Sequence, residues 1–266
     1  MSSKKETITH TLVVAFVLCI VCSIVVAGAA VVLKPTQVAN KTLDRNKNML
    51  SAAGLYKDGE TSNEEVANLM EQFSVRFIDL DEGQLLTIEQ AEGLGLDPQS
   101  YDQRKASKQP ELSQALPGER DIAGLNRRAR YAKVFVLEND NAIDLLILPV
   151  HGYGLWGTLY GFLALDGDLN TVKGLGFYEH KETPGLGGEV DNPKWKAQWI
   201  GKEVYAPDGD VAVNVSKTKM DTGNAKAKYH IDSLSGATLT SRGVDNMLKY
   251  WMGPEAYGPI LDKLRG

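Results

Sequence analysis

Between Thr11 and Leu33 no residue is charged, and Val, Ala, Leu, Ile and Phe fill most of the 23 positions. A run of that length can cross a bilayer as a helix, the form in which every backbone polar group is satisfied within the segment. It divides the chain into an apolar anchor and a remainder that must build its own core. The competing reading is a cleavable signal peptide, since Ala27-Gly28-Ala29 imitates a cleavage site. The run exceeds the roughly 7–15 residues of a signal core, which favours a retained anchor embedded in the lipid bilayer.

Charge limits the partners of the remainder. With Lys4, Lys5 and Glu6 set aside, the part beyond residue 33 carries 27 basic and 33 acidic residues, a net of −6. It has no basic block and no nucleic-acid module, so no nucleic-acid partner is expected. Lys34, Lys41, Arg45 and Lys47 follow the span and outnumber Lys4 and Lys5 before it. A literal positive-inside count therefore places the large domain in the cytoplasm, although large domains translocate regardless of such charges. Cys19 and Cys22 both lie in the apolar run, read as small apolar residues rather than a redox or metal pair. The part beyond the run has no cysteine, hence no disulfide and no thiolate ligand for an iron–sulfur cluster.

Three parts are expected: a tail and anchor (1–33), a juxtamembrane helical and irregular region (34–130), and a domain over 131–266. Ser62 and Glu65 form a capping box, and Val66, Leu69, Met70 and Phe73 keep helical spacing, which predicts a helix from about Asn63 to Phe73. Residues 93–127 are rich in Gly, Pro, Gln, Ser and charge and read as irregular. The β signals start near Tyr131. Residues 131–137 and 143–150 flank the turn Glu138–Asn141, and residues 157–165 and 172–178 flank Asp166-Gly167-Asp168, which predicts two hairpins. Asn192-Pro193 opens a short helix, and Val204–Val215 reads as one more strand. The fold class is α+β, a mainly antiparallel sheet flanked by helices, behind one transmembrane helix.

Three segments could carry chemistry. His151-Gly152-Tyr153-Gly154-Leu155-Trp156-Gly157 combines backbone freedom with two rings that can stack on a flat group; it could equally be a glycine-rich hairpin connection. His180-Lys181-Glu182-Thr183-Pro184-Gly185-Leu186-Gly187-Gly188 is a turn-rich loop after a strand. It contains neither H-E-x-x-H nor a P-loop, and no metal site is expected. Asp232-Ser233-Leu234-Ser235-Gly236-Ala237-Thr238 precedes a helix marked by Val244, Met247, Leu248 and Trp251. A helix start is a ready seat for an anion, while ordinary capping by Thr238 or Thr240 explains the same residues.

The spacing D-x-x-S-G-A-T resembles the flavinylation signature of the FMN-binding domain family. Together with the anchor, G-Y-G-L-W-G and H-K-E-T-P-G-L-G, it resembles, along essentially the whole chain, the C subunits of sodium-translocating NADH:quinone reductases. The resemblance implies FMN joined by a phosphoester to Thr238, installed by a flavin transferase that uses FAD. It implies Asp232, Ser235, Gly236 and Ala237 as the rest of the attachment motif. Trp156 would contact the isoalloxazine ring, and Glu182, Thr183, Leu186 and Gly187 would line the cofactor. It also implies membership of a multi-subunit inner-membrane complex that oxidises NADH, reduces ubiquinone and exports sodium, with the soluble domain in the periplasm, against the charge count. No catalytic acid or base is implied, and NADH chemistry falls to a partner, since the chain has no G-x-G-x-x-G. The rivals are the G subunit of the related Rnf electron-transport complex and a cofactor-free membrane-anchored assembly protein.

Overall fold

The computed structural model describes residues 8–140, 142–221 and 223–266; Lys4 and Lys5 of the charge count and Asn141 of the first turn lie outside them. The first helix, α1 (Ile8–Ala52), has Pro35 inside it, and the chain divides into a unit ending at Asp44 and a unit Arg45–Gly266. The first unit is a helix whose apolar side chains, such as Phe16, Ile24 and Val32, are exposed, and it is long and apolar enough to cross a membrane. The helix continues to Ala52, into the region expected to be helical and irregular. No Gly interrupts it there, and Val38, Leu43, Met49 and Leu50 include the residues that bury its last turns: Met49, Leu50 and Ala52 are fully buried.

The second unit continues with α2 (Asn63–Glu71), capped reciprocally by Ser62 and Glu65 as predicted. The strands β1 (Ser74–Asp79) and β2 (Gln84–Leu85) follow, then α3 (Ile88–Gly93) and α4 (Gln103–Ala106). Next come β3 (Ser113–Ala115), β4 (Arg127–Ala129), β5 (Tyr131–Asn139), β6 (Ala142–Tyr153), β7 (Thr158–Asp166) and β8 (Val172–Glu179). The chain closes with α5 (Pro193–Lys196), β9 (Asn214–Ser216), β10 (His230–Asp232), α6 (Thr238–Met252) and α7 (Gly258–Arg265).

The main sheet has the order β2-β1-β5-β6-β7-β8, antiparallel at every junction. Both predicted hairpins form as β5–β6 and β7–β8. The β structure starts earlier than Tyr131: Ser74–Asp79 pairs along its length with β5. Its polar–apolar alternation runs only from Ser74 to Phe77 and is broken by the adjacent Ile78, too short a pattern to reveal a strand by itself. Val204–Val215 is not one strand. Pro207 and Gly209 interrupt it, leaving a single bridge Tyr205↔Val211 and the short β9, which pairs in parallel with β10. Residues 93–127 are largely irregular, yet Leu96 and Tyr101 seal a small second core with Phe77 and Tyr131, and the Tyr101 ring meets Phe77 edge-on at 5.3 Å.

The principal core lies on one sheet face. Val134, Leu148 and Leu163 meet Val244, Met247 and Trp251 of α6 there. Trp195 and Trp199 join that core, with their rings 5.5 Å apart. The opposite face carries Phe135 and Phe162, ring centroids 6.2 Å apart. Residues 45–52 of α1 lie against this face at β8, where a Cβ at Gly174 would stand 2.5 Å from the Ala52 carbonyl. The sheet is therefore buried on both faces, which explains why β6 and β7 read as continuous apolar runs.

Candidate functional site

The Gly-rich connection between β6 and β7, the loop after β8 and the start of α6 are far apart in sequence, and one buried carboxylate joins them. Glu182 is only 5 % exposed. Its Oε1 accepts hydrogen bonds from the backbone N–H groups of Leu155 and Trp156, both at 3.0 Å. Its Oε2 accepts from the Thr240 hydroxyl in the first turn of α6. A carboxylate out of water requires such donors, and here the loop after β8 supplies the carboxylate while the other two segments supply the donors.

Close packing surrounds this hub. A Cβ at Gly154 would stand 2.6 Å from Glu182 Oε1, and one at Gly187 would stand 2.5 Å from both Glu182 Oε2 and Thr240 Oγ1. In α6 itself, Gly243 faces the loop, and a Cβ there would run into the Tyr153 carbonyl. Glycine inside a helix costs roughly 1 kcal/mol against alanine, so its presence marks a place where backbone must touch backbone. Gly243→Ala should accordingly lower the midpoint of thermal unfolding, with a cost of about 1–3 kcal/mol from overpacking outweighing the propensity gain; a melt followed by circular dichroism checks this.

The loop after β8 is fixed from within. His180 Nδ1 accepts the Glu182 N–H at 3.2 Å, so its Nε2 is the proton-bearing nitrogen that faces Asp191 Oδ2 at 2.7 Å. The Thr183 carbonyl accepts from the N–H groups of Leu186 and Gly188, at 3.1 and 2.9 Å. These bonds leave Leu186 outward, 47 % exposed, and Trp156 at 63 % and Leu239 at 51 % are exposed as well. The Leu186 side chain also reaches the segment before α6, where a Cβ on Gly236 would stand 3.3 Å from its Cδ2. Gly236 has φ +74°, a left-handed turn that glycine adopts without strain and that sets the direction from which α6 starts.

The hydroxyls at the start of α6, those of Thr238, Thr240 and Ser241, divide into two groups. Thr240 is spent on Glu182, and Ser241 Oγ accepts from the Leu234 N–H at 2.9 Å. Both are buried. Thr238 is half-buried at the first helical position, and its hydroxyl has no hydrogen-bond partner among the described residues. The N-cap is Ala237, and no side chain caps the helix. The capping explanation offered for Thr238 and Thr240 is thus corrected: neither hydroxyl caps α6, because the N-cap falls one residue earlier on a side chain with no oxygen. The first turn keeps its N–H groups and the positive end of the helix dipole available.

Asp232 ends β10 on the exposed side. Its Oδ1 lies 3.0 Å from His230 Nε2, and its backbone is tied to Gln198 and Trp195 at 2.9 Å each. Trp156, Glu182, Leu186, Gly187 and Gly236 converge with the α6 start. Thr183 acts there through its backbone, Ser235 is exposed and Ala237 buried, and Asp232 stands to one side on β10. Sequence reasoning missed the inward role of Thr240 and missed Gly243 altogether. The pairing of Glu182 with Thr240 spans 58 residues and has no local signal, whereas a glycine in the middle of an amphipathic helix was a signal available to be read.

A helix long and apolar enough to cross a membrane thus precedes an α+β unit in which glycine-rich loops converge on an uncapped helix start. The FMN-binding domain family model matches residues 154–253, which include the three convergent segments from Gly154 onward. The chain is 52 % identical over 263 residues to the C subunit of the Na(+)-translocating NADH-quinone reductase of Pseudomonas aeruginosa, covering 99 % of this chain and 98 % of that protein. It is 42 % identical over 267 residues to the protein of the same name from Pasteurella multocida, covering 100 % of this chain and 97 % of that one. A crystal structure of NqrC from Shewanella oneidensis superposes with a TM-score of 0.72 at 31 % identity, over 85 % of this chain and 99 % of that chain. The chain belongs to the NqrC family, the C subunits of the Na+-translocating NADH-quinone reductases.

Proposed function

We propose that this chain is the FMN-bearing electron-transfer subunit of a sodium-translocating NADH:ubiquinone oxidoreductase. The observation that carries the attachment point is the Thr238 hydroxyl, without a partner among the described residues at an uncapped helix start, while Thr240 and Ser241 beside it are engaged. A threonine hydroxyl is a weak nucleophile without an activating base, so a flavin transferase is the agent of attachment. The Thr238 Oγ1–phosphorus bond forms as the pyrophosphate bond of FAD breaks, the hydroxyl proton is lost and AMP leaves. The resulting diester keeps one negative charge, which the α6 N–H groups stabilise.

FMN, once attached, supplies the electron chemistry, and the protein supplies placement. Trp156, Leu186 and Leu239 offer a ledge for the flat ring system. Glu182 holds the ledge, the loop and the helix start in one geometry through its three accepted hydrogen bonds. Gly236 and Ala237 keep the approach to Thr238 clear, and Asp232 and Ser235 are presented outward for recognition by the transferase. Residues 131–266 form the FMN-carrying part. Electrons come from a neighbouring redox centre of the complex and pass to another flavin in it, with NADH oxidised on a partner subunit. The apolar run Thr11–Leu33 anchors the chain in the inner membrane lipid, and the flavinylated part faces the periplasm.

In-gel fluorescence tests this reading. Chain expressed with the transferase should give a flavin band that survives denaturing electrophoresis, and chain expressed without it should be dark. A dark band in the presence of the transferase would refute covalent attachment.

A further inference from the structure

A recess of about 230 Å³ opens on the sheet face that bears Tyr160 and Phe162. None of its lining residues belongs to the group around Thr238. Its wall is aromatic: His151 stacks on Tyr160 with centroids 5.5 Å apart and an interplanar angle of 20°, and Tyr178 lies 6.3 Å from Tyr160 and 5.3 Å from Phe162. Its charged lining is Arg45, Asp102, Arg104, Lys105 and Lys133, an excess of positive charge.

Two of the cations have carboxylate partners. Arg104 lies 3.6 Å over the Tyr160 ring and makes a bidentate pair with Glu179, both bonds 2.9 Å. Lys105 stands 3.7 Å from Asp102, whose carboxylate also accepts the Arg104 and Lys105 N–H groups. The other two do not. Arg45 sits over the Phe162 and Tyr178 rings at 5.7 and 5.9 Å. The Lys133 ammonium donates to the Pro98 carbonyl. Among the described residues neither has a carboxylate within ion-pair distance. Burial, and then the charge of Arg45, hold the Lys133 amine below the usual lysine range, while the more distant Asp97 and Asp102 carboxylates only partly offset them. His151 adds no charge at neutral pH, since burial first and Arg104 second push it down to about 4.

We propose that this recess binds a small oxyanion, a phosphate or carboxylate group, between the Arg45 guanidinium and the Lys133 ammonium and against the Tyr160, Phe162 and Tyr178 rings. A guanidinium lying over rings still presents its N–H edge for bidentate recognition of such a group. The recess is smaller than the roughly 300 Å³ at which pockets for drug-sized ligands begin, so it fits a head group rather than a second flavin. A soluble phosphate compound and an anionic phospholipid head share this chemistry. The site does not depend on where FMN is attached.

The test uses the full flavinylated chain in neutral detergent, titrated with inorganic phosphate at constant ionic strength and followed by calorimetry. The same titration is repeated in nanodiscs of phosphatidylcholine with and without phosphatidylglycerol. Saturable phosphate binding that Arg45→Gln and Lys133→Gln each weaken at least tenfold, and the exposed Lys57→Gln leaves unchanged, supports the site. Loss of phosphate binding in the phosphatidylglycerol discs alone assigns it to lipid heads, and equal binding in both discs assigns it to soluble phosphate compounds. Absence of saturable binding in every medium, or binding that survives both substitutions, overturns the proposal. In-gel flavin fluorescence and a thermal melt verify that each variant is folded and loaded; should Lys133→Gln fail there, Arg45→Gln, on an exposed side chain, decides alone.

Discussion

Thr238→Ala should erase covalent flavin while leaving the fold intact. In the presence of the transferase the wild-type band fluoresces, and the variant band is dark at equal protein load. The stability change should be small, within about 0.5 kcal/mol, the range of surface changes that break no identified interaction. The reason is the geometry of α6: Thr238 makes no capping hydrogen bond, so its methyl and hydroxyl are lost without leaving a buried group unpaired. A loss of about 1 kcal/mol, the cost of removing a working N-cap, is what the capping explanation requires. Thr240→Ser, which keeps the hydroxyl on Glu182, should remain fluorescent. A bright Thr238→Ala band would place the attachment on another hydroxyl and sink the assignment.

The second large effect is expected at Glu182. Glu182→Ala strands the Leu155 and Trp156 N–H groups and the Thr240 hydroxyl around a cavity. At about 1–3 kcal/mol for each buried polar group left unpaired, partial access of water to the exposed ledge brings the sum to roughly 3 kcal/mol. Chemical denaturation of the soluble part in detergent reads that loss. Glu182→Gln keeps a carbonyl oxygen for the two N–H groups and offers an amide N–H to Thr240 Oγ1, so it should lose only about 1 kcal/mol, of the order of one neutral hydrogen bond. Flavin loading should follow the same order, wild type above Gln above Ala, because the transferase meets an attachment stretch held in place through Thr240. Equal stability in all three proteins would show that the carboxylate does not join the three segments.

The parts of this protein that follow from local chemistry were legible before any coordinates. Twenty-three uncharged residues define the span, and Ser62 with Glu65 define the start of α2. Asn192-Pro193 define α5, and apolar runs on either side of turn residues define the two hairpins. The three glycine-rich or hydroxyl-rich segments also stood out, since glycines and hydroxyls concentrate where backbone must bend or contact something. The strand Ser74–Asp79 was not legible, because its membership depends on β5 as a partner rather than on its own pattern. Val204–Val215 alternates like a strand, and Pro207 and Gly209 break it.

Sequence by itself determined the long apolar helix, the α+β class and the hydroxyl-rich stretch proposed for attachment, because each rests on neighbours within a few residues. Only the tertiary structure separated the hydroxyls. Thr240 and Ser241 turn inward to Glu182 and to the Leu234 N–H, and Thr238 does not. That outcome depends on a carboxylate 58 residues away and on Gly154, Gly187 and Gly243, whose missing side chains let three segments close around it. Such contacts are set by packing between distant elements, for which one-dimensional spacing carries no record.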